Sequence, residues 1–129
     1  MPPTRFRRLS ALFALAATIA AGLVTHLVLP SNVMTDIAGD ALYVAAVYAA
    51  IVLVLPRVRP LVVGVVAGGW SIAVELFQAT GVPAELAERF RPLALVLGTG
   101  FDPRDLVVYV AAVVAAVALD AGVGRVLRS

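Results

Sequence analysis

The stretch LVVGVVAGGWSIAVELF, residues 61–77, decides how this chain is read. It is long and apolar enough to cross a bilayer, except for one residue, Glu75. A carboxylate at the centre of a transmembrane helix costs about 2.5–3.5 kcal/mol even on insertion scales, so it needs a compensating partner. Gln78 follows at i+3 and so shares its helix face. What those two residues face is the functional question the sequence poses.

The composition agrees with a membrane reading. Of 129 residues, 62% are hydrophobic and 14% charged, with a mean hydropathy of +1.02. Soluble domains are nearer 45–50% apolar and about 25% charged. We expect a single all-α integral membrane domain over residues 1–129. Its four transmembrane spans are expected at about 9–29, 37–55, 61–80 and 105–123, each near the ~20 residues a bilayer core requires. Pro30 and Pro56 close the first two. A cleavable signal peptide is the competing reading of the N-terminus. The apolar stretch after Arg8 runs well past the usual 7–15 residues without a polar cleavage region, so we expect an uncleaved span.

The net charge of +2 comes from ten arginines and no lysine, a usage that fits a GC-rich bacterial genome. The arginines sort by membrane side. Arg5, Arg7 and Arg8 precede the first span, Arg57 and Arg59 fill the second link, and Arg125 and Arg128 follow the last span. Only Arg89, Arg91 and Arg104 lie on the other side, against seven. The positive-inside rule then predicts a multi-pass protein of the bacterial inner membrane with both termini cytoplasmic. Dispersed arginines and few aromatics argue against nucleic-acid binding. The absence of cysteine removes disulfides and thiolate chemistry, and a single histidine, His26, makes a zinc site improbable. No nucleotide-, hydrolase- or metalloprotease-type motif is present, so we expect no cofactor and no metal.

Between the third and fourth spans, Leu86, Phe90, Leu93 and Leu97 recur at helical spacing among charged residues. Pro92 should divide this segment into a short interfacial helix and a second apolar piece, either re-entrant or surface-lying. Leu86 and Phe90 should lie against the membrane or the helix bundle. Asp102, Pro103 and Asp105 fit N-cap, N1 and N3 of the last helix.

With this topology the singled-out polar residues fall toward the outer leaflet: His26, Asp40, Tyr43, Glu75, Gln78, Asp105 and Tyr109. The inner halves read as Ala, Val, Leu and Gly. Glu75 with Asp105 or Asp40 could work as a carboxylate pair, for acid–base chemistry or a hard cation. Glu75 with Arg89 or Arg91 could form a buried ion pair. Asp40 and Asp105 are also natural helix caps, His26 a polar anchor, and the tyrosines members of an interfacial belt. Gly64-x-x-x-Gly68 and the alanines 111, 112, 115 and 116 permit close helix packing, with self-association through Gly64 and Gly68 as an option.

An ordered set of short motifs carries a resemblance. Gly39-Asp40-Ala41-Leu42-Tyr43, Glu75-x-x-Gln78, an arginine in the following loop, Leu97-Gly98-x-Gly100-Phe101 and Asp105-Leu106-x-x-Tyr109 resemble the small bacterial membrane family called domain of unknown function 2809 (DUF2809). That family is similar to the VanZ-like proteins, whose E-x-x-Q…R…D pattern is related and whose name comes from glycopeptide resistance. The family arginine aligns with Arg89 across a one-residue gap, with Arg91 as the alternative, and Ala112 stands where the family usually has glycine. The resemblance implies a fold and a membrane address but no reaction.

The expected function is therefore recognition of a lipid-linked or cell-envelope ligand in an outward-facing pocket of Asp40, Tyr43, Glu75, Gln78, Arg89, Asp105 and Tyr109, with membrane lipids as surroundings. The alternatives are a membrane-embedded enzyme using Glu75 and Asp105 as acid and base, and a structural subunit of a membrane complex.

Overall fold

A computed structural model describes residues 4–93 and 103–128, and among these residues there are four long helices and one short one. They are α1 (Thr4–Leu27), α2 (Val33–Val54), α3 (Pro60–Gln78), α4 (Val82–Arg89) and α5 (Pro103–Arg128). α1, α2, α3 and α5 are each long and apolar enough to cross a membrane. The expected all-α, four-span architecture is what the chain adopts.

The helix starts lie further out than hydropathy suggests. α1 begins at Thr4 rather than near residue 9, because the arginines before the apolar run continue the helix. Arg7 and Ala11, one turn apart, both turn inward and are its two buried residues. α2 begins at Val33 with a capping box. Asn32 accepts from the Thr35 backbone at 3.0 Å, and the Thr35 hydroxyl accepts from the Asn32 N–H at 2.9 Å. Two of the helix's orphan donors are thereby satisfied. Pro60 opens α3 and Pro103 is the first residue of α5, where a missing N–H costs nothing. The N-cap expected at Asp102, the apolar piece ending at Leu97 and the Leu97–Phe101 motif lie outside the described residues.

α2, α3 and α5 pack against one another, and α1 lies along α2. The core cluster of Ala11, Tyr48, Val52, Val63 and Ala67 sits in the half of the bundle nearest the α2–α3 link. α3 buries the stripe Val63, Gly64, Ala67, Ser71, Val74, Glu75 and Gln78, which recurs at helical spacing. Gly64 and Gly68 face α5. A Cβ at Gly64 would collide with Val117, and one at Gly68 would lie 3.4 Å from Val113. The small-residue motif is thus used inside the chain to bring α3 and α5 together. The surface suggested for self-association is occupied by α5 of the same chain.

Outward faces carry Phe13, Leu27, Met34, Val65, Val107 and Leu119 among many exposed apolar residues, as lipid-facing helices require. Hydroxyls within the spans bond back to their own helix. Thr25 donates to the Ala21 carbonyl at 2.8 Å and Ser71 to the Ala67 carbonyl at 2.9 Å.

Candidate functional site

Polar residues gather at both ends of the bundle, and the two clusters differ in kind. At one end Glu75 is fully buried, with no exposed surface. Its position on α3 follows from the stripe that also buries Ser71 one turn before and Gln78 almost one turn after. Across from it on α5, Tyr109 is 4% exposed and donates its hydroxyl to Glu75 Oε2 at 3.3 Å. Tyr43 on α2 packs near Tyr109, with ring centroids 6.4 Å apart and planes inclined by 44°. Trp70 Nε1 in turn donates to the Tyr43 hydroxyl at 2.9 Å. Three helices are thus tied by aromatic residues with polar tips, which bury surface while keeping a hydrogen-bonding end.

Around the Tyr109 hydroxyl stand three carboxyl groups, those of Asp40, Glu75 and Asp105, all within electrostatic reach. Asp40, two turns into α2, and Asp105, in the first turn of α5, lie side by side. Asp40 Oδ2 is buried without a hydrogen-bond partner among the described residues. On the rim, the half-buried Arg104 and the exposed Asp36 approach to 3.7 Å. Among the described residues no three acidic or imidazole side chains converge tightly enough to hold a metal ion.

Asp40, Tyr43, Glu75, Gln78, Asp105 and Tyr109 all belong to this end of the bundle. Arg89 does not join them. It is exposed at the end of α4, and it belongs to neither of the ion pairs among the described residues, so the expected Glu75–Arg89 pair is not formed. α4 rotates Pro83 and Ala87 inward instead, leaving Leu86 half-buried and Phe90 exposed. Arg91 is exposed as well, and so is His26 in the last turn of α1.

The other end corrects the expectation that these halves are purely Ala, Val, Leu and Gly. Arg7, only 5% exposed, donates from Nη1 to the carbonyls of Pro56 at 2.8 Å and Val58 at 2.6 Å. Its Nη2 meets Asp120 Oδ2 at 2.8 Å. The Tyr48 hydroxyl donates to the same oxygen at 2.6 Å. One guanidinium therefore joins α1, the α2–α3 link and α5. Such a charge is tolerated because almost every group around it is paired. A signal for this was present, since Asp120 is a carboxylate inside an apolar span, as Glu75 is.

The fold and the two polar ends define a multi-pass helical membrane protein. The chain belongs to the DUF2809 family, described as proteins of unknown function, whose model matches residues 29–113. The match runs from just after α1 to the middle of α5, so it covers α2, α3 and the part of α5 that builds the carboxylate end. No curated protein and no solved structure matches the chain.

Proposed function

We propose that this protein binds the polar part of a lipid-linked or cell-envelope molecule at its carboxylate end, which faces outward from the bacterial inner membrane. The observation that carries the reading is Asp40. Its Oδ2 is buried without a hydrogen-bond partner among the described residues, and its carboxyl group lies against that of Asp105. A hydroxyl or amine of a bound headgroup would supply the donor that this oxygen lacks. Glu75, Tyr109 and Tyr43 supply further acceptors and hydroxyls around it, and the half-exposed Trp70 offers an apolar flank. The orientation rests on the arginine asymmetry of seven to three and places both termini in the cytoplasm. The similarity of the family to VanZ-like proteins supports an envelope role by analogy.

An acid–base enzyme is the second reading, and one observation bears on it. Asp105 lies beside Asp40 with Glu75 as a third carboxyl group close by, so the acid and base would be drawn from these three.

The binding reading is tested by placing a photo-crosslinking phenylalanine derivative at position 43 in cells and identifying the captured molecule by mass spectrometry. A specific envelope molecule whose capture falls in a Glu75→Gln background supports it. Capture of bulk phospholipid alone, unchanged by Glu75→Gln, contradicts it.

A further inference from the structure

At the end of the bundle opposite Glu75, the first turn of α1 and the α2–α3 link enclose an open cleft of about 300 Å³. Val54, Leu55 and Val58 form its apolar wall, and Thr4, Arg8 and Arg57 bring polar groups to it. Arg8 is fixed in place, because its Nε donates to the Leu53 carbonyl at 3.0 Å. That carbonyl is one of the groups left without a partner where α2 stops. Both Nη groups of Arg8 remain without a hydrogen-bond partner among the described residues, and Arg57 is exposed and equally unbonded. Neither arginine belongs to an ion pair among the described residues. The nearby carboxylate, Asp120, is already held by Arg7 and Tyr48.

The cleft is also shaped in advance. Arg7 bonds the carbonyls of Pro56 and Val58, both of which line it, and so holds the link in one conformation. α2 ends at Val54 and α3 begins at Pro60, so the cleft lies where two spans leave the membrane, at the depth of lipid headgroups.

We propose that this cleft is a binding site for the phosphate of an anionic membrane lipid. Two uncompensated guanidinium groups recognise the phosphate in fork geometry, and the Thr4 hydroxyl adds a donor. The apolar wall of Val54, Leu55 and Val58 receives the first carbons of the acyl chains. That wall is the reason a lipid is favoured over free phosphate, which would gain nothing from it. The site is independent of the carboxylate end and of what binds there.

The full chain in neutral detergent can be titrated with dioleoylphosphatidylglycerol, dioleoylphosphatidylcholine and inorganic phosphate, with binding followed by microscale thermophoresis. The expected result is saturable binding of phosphatidylglycerol at least about tenfold tighter than of phosphatidylcholine or inorganic phosphate. Arg8→Gln and Arg57→Gln should each weaken it about fivefold. Arg125→Gln, which removes an exposed charge from the same end outside the cleft, should change it less than about twofold. Because Arg8 also bonds the backbone, Arg57→Gln decides the matter if Arg8→Gln does not fold. Equal affinity for the two lipids overturns the proposal. So does inorganic phosphate binding as tightly as the lipid, or a loss in Arg125→Gln as large as in Arg57→Gln.

Discussion

Tyr109 on α5 donates its hydroxyl to Glu75 on α3 at 3.3 Å, and both residues are almost wholly buried. The carboxylate near the end of the deciding apolar stretch thus accepts from a neutral donor on a facing helix, whereas Arg89 stays at the surface. A buried carboxylate needs donors, and a tyrosine supplies one without burying a second charge.

A double-mutant cycle in detergent distinguishes these partners. Glu75→Gln with Tyr109→Phe should show a coupling of about 1 kcal/mol, the scale of interhelical hydrogen bonds in membranes. Glu75→Gln with Arg89→Gln should be additive within about 0.5 kcal/mol. The readout is thermal stability, and coupling of Glu75 to Arg89 would return the ion pair to the account.

Arg7 and Asp120 should behave as a buried pair. Asp120→Asn leaves the guanidinium short of its counter-charge and should cost on the order of 3–5 kcal/mol, with the double variant Arg7→Gln/Asp120→Asn costing less than the sum. Tyr48→Phe removes one donor from the same oxygen and should cost about 1–2 kcal/mol. Chemical or thermal melts of the wild type, Arg7→Gln, Asp120→Asn, their double and Tyr48→Phe check both statements.

Helix spacing gives a third expectation. Gly64→Ala places a methyl group against Val117 and should destabilise by about 1–3 kcal/mol, the usual scale of overpacking. Gly122→Ala meets nothing within 4 Å and should be neutral or slightly stabilising, since alanine is the better helix former. Equal melting temperatures for the two variants would mean that α3 and α5 are not this close.

The four spans were legible because length and hydropathy are local properties, and Glu75 with Gln78 was legible because helical spacing fixes which residues share a face. Most of the carboxylate end could be named in advance for the same reason. What was not legible is long-range. Arg7 and Asp120 are 113 positions apart, and nothing in either neighbourhood says that they meet. Arg7 also looked like one of three flanking charges, and only the rotation of α1 separates it from Arg5 and Arg8. Gly64 and Gly68 read as a packing surface, but the sequence could not say whether α5 or a second copy would fill it. Arg89 has the right charge close in sequence to Glu75, but α4 turns Pro83 and Ala87 inward instead.

The orientation is open to direct labelling. Asp36→Cys should react with an impermeant thiol reagent added to intact cells, and Arg57→Cys should react only after the membrane is opened. Asp36 is 60% exposed by its side chain and Arg57 is exposed, so burial in the protein does not confound the readout. The reverse pattern would place the carboxylate end in the cytoplasm.

The central claim is that the carboxylate end holds a ligand through Asp40 and Glu75. Native mass spectrometry of protein purified gently from its own membrane tests this most directly, comparing the wild type with Asp40→Asn and Glu75→Gln. The account predicts a discrete adduct other than phospholipid, about one molecule per chain, on the wild type, diminished in both variants while their melting temperatures show that they remain folded. A folded wild type with no adduct beyond phospholipid, or such an adduct carried equally by all three proteins, would contradict it.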